Sequence, residues 1–177
     1  MPSLLIRPSA DADVPAIAAI YAHHVLQGGG TFELEPPDET EMRRRRADVL
    51  GKPLPWLVAE RDGELLGYAY ANHFRPRPAY RFCLEDSVYV APEGQGQAVG
   101  RLLLAELLAR CTALGARQML AVIGDADNAG SIGLHRALGF RHAGVLQASG
   151  WKFGRWLDVV LMQRALGQGS ASAADDR

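Results

Sequence analysis

The stretch Ser87-Val88-Tyr89-Val90-Ala91-Pro92-Glu93-Gly94-Gln95-Gly96-Gln97-Ala98-Val99-Gly100-Arg101 decides how the chain is read. It begins as a β-strand, passes through a glycine-rich turn and opens a strongly apolar helix. Small residues in the turn let backbone N–H groups approach a ligand, and the helix N-terminus behind them favours an anion. No acid lies between Gly94 and Arg101, and Arg101 adds a positive charge. That polarity suits a phosphate seat and not a metal site, so no metal is expected. The spacing fits neither the P-loop, which needs Gly-Lys-Ser/Thr, nor the dinucleotide fingerprint. On the residues alone, the turn is either an anion seat or an ordinary glycine-rich connection.

Working outward, Val99, Leu103, Leu107, Cys111 and Leu114 form an apolar stripe on that helix, and Glu106 and Arg110 pair at i,i+4. Upstream, residues 82–90 read as a strand, preceded by strands at 56–60 and 65–71. The link Arg61-Asp62-Gly63-Glu64 between those two is a hairpin signal. A first strand at 4–8 leads to Asp11-Ala12-Asp13-Val14-Pro15, a helix start with proline in the first turn. Gly28-Gly29-Gly30 ends that helix and opens a loop expected to be flexible. Pro37-Asp38-Glu39 starts a second helix, whose four arginines 43–46 follow acids and read as a solvated face. Downstream come a strand at 119–123, a helix at 128–138 stopped by Gly139, and strands at 142–147 and 157–163. The pattern gives one α/β domain over residues 1–166, with a mixed, mainly antiparallel central sheet and flanking helices. The small, polar tail 167–177 is expected to be disordered.

The chain has 177 residues, 48% of them hydrophobic and 22% charged, with a net charge of −1. This is the composition of one soluble domain and gives no reason to expect a nucleic-acid or membrane partner. Cys83 and Cys111 each sit in apolar surroundings and read as buried thiols in a reducing compartment. No signal peptide and no membrane-length apolar run is visible, so a cytoplasmic location is the expectation.

Val88-Tyr89-Val90 followed by Gln95-x-x-Ala98-x-Gly100 resembles the acyl-CoA signature of the GNAT N-acetyltransferase family, with Ala98 in place of the first expected glycine. The extra methyl either crowds the pyrophosphate or tilts the turn. Asn128-Ala129-Gly130-Ser131, continuing to Leu134-His135 and Leu138-Gly139-Phe140, is similar to the family's second motif. Glu85, His135 and the run Lys152-Phe153-Gly154-Arg155-Trp156-Leu157-Asp158 look like the phosphinothricin and methionine sulfoximine acetyltransferases within that family. The resemblance spans about residues 6–166. It implies acetyl-CoA as co-substrate, a small amino-acid analogue as acceptor, and a homodimer.

Acetyl transfer from a thioester to an amine needs a base, stabilisation of the thioester oxygen and a proton for the thiolate. Alternation puts Glu85, Ser87 and Tyr89 on one strand face and Leu84, Asp86, Val88 and Val90 on the other. Asp86 is therefore awkward unless it lies near the strand end. Glu85 is either a surface carboxylate paired with a cation such as Arg81 or a general base, and the resemblance favours the base, with burial raising its pKa. Asn128, Ser131 and His135 share one helix side. Asn128 can cap its helix. The resemblance implies that Asn128 and Ser131 lie along the pantetheine arm and that His135 is the acid for the thiolate; without the resemblance, His135 reads as packing. Val88, Tyr89 and Val90 would line the cofactor, the two valines through their backbones. Gln95, Gly96, Gln97, Ala98, Val99, Gly100 and Arg101 would hold the pyrophosphate.

On the substrate side, an Arg fork suits an α-carboxylate. The resemblance favours Arg75 and Tyr80, with Pro78 and Ala79 between them, against the alternative of a solvated basic loop. Phe32 and Glu33 are candidates for the opposite pocket wall. Two rival readings are acetylation of peptide N-termini or another amine, and an acyl-CoA-binding module without catalysis.

Overall fold

The computed structural model describes residues 3–174. The chain begins with β1 (Leu5–Pro8). A single 3₁₀ turn, Asp11–Asp13, precedes α1 (Val14–Gln27), so the helix expected from Asp11 starts one turn later. The Asp13 carboxylate explains the delay, because it is held by the Arg7 guanidinium at 2.8 Å and accepts from the Ala10 N–H. The second helix, α2 (Glu39–Gly51), is capped by the Asp38 side chain, which accepts from the Glu41 N–H. Its arginines are not all solvated. Arg44 is exposed, but Arg46 is buried against Ser9 and Asp11, and Arg45 reaches across to Glu33.

β2 (Trp56–Arg61) and β3 (Glu64–His73) form the expected hairpin. Asp62 and Gly63 both adopt positive φ, +52° and +81°, which is the two-residue turn that matches strand twist. β4 (Cys83–Val90), α3 (Val99–Ala113), β5 (Gln118–Gly124) and α4 (Ala129–Ala137) follow. On α3, Leu103, Leu104, Leu107 and Cys111 are fully buried, while Leu114 lies past the last turn and is exposed. Each such leucine contributes about 1.5–3 kcal/mol by its burial.

The last two strands are longer than the sequence suggested. β6 (Arg141–Lys152) and β7 (Arg155–Ala165) make a hairpin closed by Phe153 and Gly154, at φ +54° and +69°. β6 is almost wholly exposed and has register shifts after His142 and Leu146, so it carries no clean apolar alternation to read. The tail from Gly167 lies against Arg117, which donates to the Gly169 and Ala173 carbonyls and to Ser172 Oγ. Residues 175–177 of that tail lie outside the described residues.

The seven strands form one sheet in the order β1-β2-β3-β4-β5-β7-β6, and β4–β5 is its parallel pair. Alternation on β4 sorts the helices. Tyr89 meets Tyr21 of α1, with ring centroids 5.0 Å apart, whereas Val88 and Val90 approach Gly100 of α3 and Leu134 of α4. The helix pairs α1/α2 and α3/α4 therefore cover opposite faces, and the core lies against both.

Candidate active site

The site begins where the parallel pair stops. β4 and β5 are paired from Cys83↔Gln118 to Asp86↔Ala121, yet β4 continues to Val90 and β5 to Gly124. The strands part there, and a cavity of about 920 Å³ occupies the opening. In the antiparallel ladder with β3, Ala91 N–H donates to Leu66 and Phe74 N–H donates to the Cys83 carbonyl. Odd-numbered residues of β4 thus point their peptide groups at β3, and those of Val88 and Val90 point into the opening. Buried backbone groups need partners. His24 of α1 satisfies one, its Nε2–H donating to the Val90 carbonyl at 2.8 Å. The rest face the cavity, where a ligand carrying amide groups in series would satisfy them. Acyl-CoA is such a ligand, and the chain's own geometry fits it.

The glycine turn closes one end of the cavity, which Gln95, Gly96, Ala98, Val99, Gly100 and Arg101 help to line. Gln97 does not: its side chain is bonded to the Glu93 carbonyl and to Arg61, bracing the turn from behind. Ala98 precedes α3 at φ +61°, ψ +9°, and its side chain caps nothing. The position favours glycine because the backbone is left-handed. A methyl there adds about 1–2 kcal/mol of backbone strain. The first α3 turn has no acid and no side-chain cap, so its N–H groups remain available to an anion. Ala98→Gly is expected to raise the melting temperature by about 2–4 °C, the shift that about 1 kcal/mol gives at this size. A lower melting temperature would refute the strain argument.

Asp86 is the last β4 residue paired with β5, and it is not near the strand end. Its side chain is buried on the α3/α4 face and bonds His135 Nε2 at 2.7 Å, with side-chain exposures of 1% and 5%. The other imidazole nitrogen, Nδ1, lies 2.7 Å from the Ser131 carbonyl, which can only accept. Burial disfavours the imidazolium, but Asp86 and the Ser131 carbonyl outweigh it and raise the His135 pKa. Phe140 packs edge-on against the ring. His135 lines the cavity, as the acid role requires, but both its nitrogens are engaged by Asp86 and the Ser131 carbonyl in this arrangement. It fastens α4 to β4 at the point where the sheet parts. Nearby Cys111 is pushed up to about 12, by burial and then by Asp86, and is chemically quiet. Asn128 caps α4 by accepting from the Ser131 N–H, and both residues line the cavity.

Glu85 projects to the opposite face and also lines the cavity. Its carboxyl pKa is raised, first by desolvation and then by Asp86, while Arg75 pulls it back. Tyr70 and Ser87 stand beside it at register positions across β3 and β4. Arg75, Pro78, Ala79 and Tyr80 lie on the exposed loop before β4 rather than inside the cavity. There the Arg75 guanidinium sits over Phe74 at 4.8 Å, and Tyr80 meets the same ring edge-on.

The loop after α1 differs most from expectation. Its wall is made by residues 28–31, which line the cavity, while Phe32 and Glu33 stand behind them. Glu33 pairs with Arg45 and accepts from Tyr21 Oη. The three glycines serve close approach rather than flexibility. A Cβ on Gly29 would lie 2.7 Å from Asp125 Oδ2, and one on Gly30 3.2 Å from Asn128 Nδ2. Tyr89 lines the opening, but its ring packs among Tyr21, His24 and Tyr68. The sequence reading missed His24, Tyr70, Asp86, Thr31 and Asp125. Of these only Asp86 left a signal, a charge at an apolar register position.

Residues 17–140 match the Acetyltransferase (GNAT) family. The chain belongs to that family, and it is an N-acetyltransferase that uses acetyl-CoA. Phosphinothricin N-acetyltransferase of Alcaligenes faecalis is 60% identical over 94% of this chain and 85% of that protein. L-methionine sulfoximine/L-methionine sulfone acetyltransferase of Pseudomonas paraeruginosa is 41% identical over 91% and 94%. The crystal structure of a phosphinothricin acetyltransferase from Sinorhizobium meliloti in complex with AcCoA has a TM-score of 0.95 and 49% identity, covering 98% of this chain and 94% of that one.

Proposed function

We propose that the enzyme acetylates the α-amine of small amino-acid analogues of the phosphinothricin, methionine sulfoximine and methionine sulfone type. The observation that carries this reading is Glu85: a half-buried carboxylate of raised pKa on the same short strand whose Val88 and Val90 peptide groups open on the acyl-CoA cleft. Acetyl-CoA supplies the activated acetyl group. The α3 N-terminus and the turn from Gln95 to Arg101 hold its pyrophosphate, and Val88, Val90, Asn128 and Ser131 border its arm. Glu85 takes the amine proton directly or through water; its desolvation makes it a stronger base than a surface carboxylate. The Val88 peptide N–H is suited to the developing charge on the acetyl oxygen. His135 is a positioning residue for α4.

Arg75 receives the substrate carboxylate, and the exposed loop around it closes with Tyr80. This makes Arg75→Ala raise the amino-acid KM about tenfold to a hundredfold, the scale of a lost charged hydrogen bond, with acetyl-CoA binding unchanged. Steady-state assays of CoA thiol release, with amino acids, peptides and aminoglycosides as acceptors, check both specificity and this split. Equal losses for amino acid and acetyl-CoA would remove Arg75 from the carboxylate role.

The protein also acts as a homodimer in the cytoplasm on this reading. Val145, Leu146, Trp151, Phe153 and Trp156 are exposed on the β6–β7 hairpin, more apolar side chain than a monomer usually shows to water in one place. Sedimentation at micromolar concentration tests the dimer; a persistent monomer contradicts it.

A further inference from the structure

We infer that the tip of the β6–β7 hairpin shapes the amine side of the pocket, with Lys152 as its positioning residue. The inference rests on the acetyl-transfer reading above and adds a determinant that neither motif contains. Lysines at strand ends usually extend their ammonium into water. Lys152 is 4% exposed, and its Nζ donates to the Gly28 carbonyl at 2.9 Å and the Thr31 carbonyl at 2.8 Å. Its bonds go to the two ends of the loop that walls the cavity, and not to a carboxylate. Burial accordingly lowers its pKa, with Glu33 opposing.

Two further grips come from the same hairpin tip. The Phe32 ring lies on the bare backbone of Gly150, where a Cβ would run into it, and also against Gly124 of β5. Arg155 holds Asp125 at 2.6 Å, and Asp125 in turn packs against Gly29. Gly150, Lys152 and Arg155 thus fix the loop from one side, while Thr31 Oγ1 bonds Tyr21 Oη on the other. Tyr21 packs on Tyr89, which shares its sheet face with Glu85. The Thr31 end of the wall therefore lies on the amine side. Its Gly30 end meets Asn128, and Gly100, Leu134 and the valines of β4 meet on the opposite face.

Lys152→Met keeps most of the stem and removes the donors. The expected result is an amine KM raised about tenfold or more, with kcat and the acetyl-CoA dissociation constant each within about threefold. Lys152→Arg, which keeps a cation and its donors, is expected to recover a large part of the loss. Gly150→Ala, which displaces the Phe32 ring, is expected to show the same split. An unchanged amine KM in both Lys152→Met and Gly150→Ala overturns the inference. So does an equal rise in both substrates' constants, or a loss of acetyl-CoA binding in both variants, since either marks the contacts as general supports of the fold. Wild-type protein that acetylates no amino acid would instead overturn the reading beneath it.

Discussion

Glu85→Gln is expected to lower kcat about a hundredfold to ten-thousandfold, the range a positioned general base supplies. The substitution keeps the side chain's shape and removes its basicity, so acetyl-CoA binding is expected to stay unchanged. The pH dependence follows from the direction of the shift. Desolvation, with Asp86 adding to it, raises the Glu85 pKa above the ordinary carboxylate range. The protonated, inactive form therefore persists to higher pH than a surface glutamate would allow, and kcat/KM for the amine rises as pH increases through that raised value. A pH–rate series on both proteins checks this. A Gln variant with near-normal kcat, or one that keeps the acid limb, would remove Glu85 from the base role.

The second large effect falls on stability. Removing His135 leaves Asp86 buried with no counter-charge, and breaking a buried pair in this way costs about 3–5 kcal/mol. At about 2–4 °C per kcal/mol, His135→Ala is expected to melt some 6–20 °C below wild type. Linkage gives a further signature. The His135 pKa is raised in the folded state, because Asp86 and the Ser131 carbonyl outweigh desolvation. The resulting stabilisation is fully present below the unfolded histidine value and is lost as pH rises through the folded one. Wild type should therefore lose stability over that interval, and the variant should lack that slope. Chemical denaturation at several pH values measures it. A variant as stable as wild type, with a diminished basic limb in kcat, would instead restore His135 to the acid role.

These two residues show what the sequence made legible. Local grammar was readable: Asp62-Gly63 marked a hairpin, Gly139 stopped α4, and the run from Ser87 to Arg101 placed a strand, a turn and a helix. The Ala98 departure also became intelligible, because its left-handed backbone explains why the motif favours glycine there. Long-range pairing was not readable. Alternation marked Asp86 as a charge on an apolar face, but its partner lies 49 residues away on another helix. The glycines after α1 looked like slack in the chain, since nothing in their neighbourhood announces Asp125 or Asn128 closing on them. Likewise, Phe153-Gly154 turns a hairpin through a positive φ at phenylalanine, a residue that gives no turn signal. The candidate site was therefore clearest on its cofactor side, which backbone geometry builds. The proposed amine side was least clear, because it draws on segments far apart in sequence: α1, the loop beyond it, the segment before β4 and the β6–β7 tip.

On the proposed function, this cleft delivers acetyl from acetyl-CoA to the α-nitrogen of a small amino acid. The most direct test is to incubate the purified protein with acetyl-CoA and L-methionine sulfoximine or L-phosphinothricin, and to locate the new acetyl group in the product by NMR. The expected product carries one acetyl group on the α-nitrogen, formed together with an equal amount of CoA. Acetyl transfer to peptide N-termini or aminoglycoside amines, with free amino acids left untouched, would contradict it.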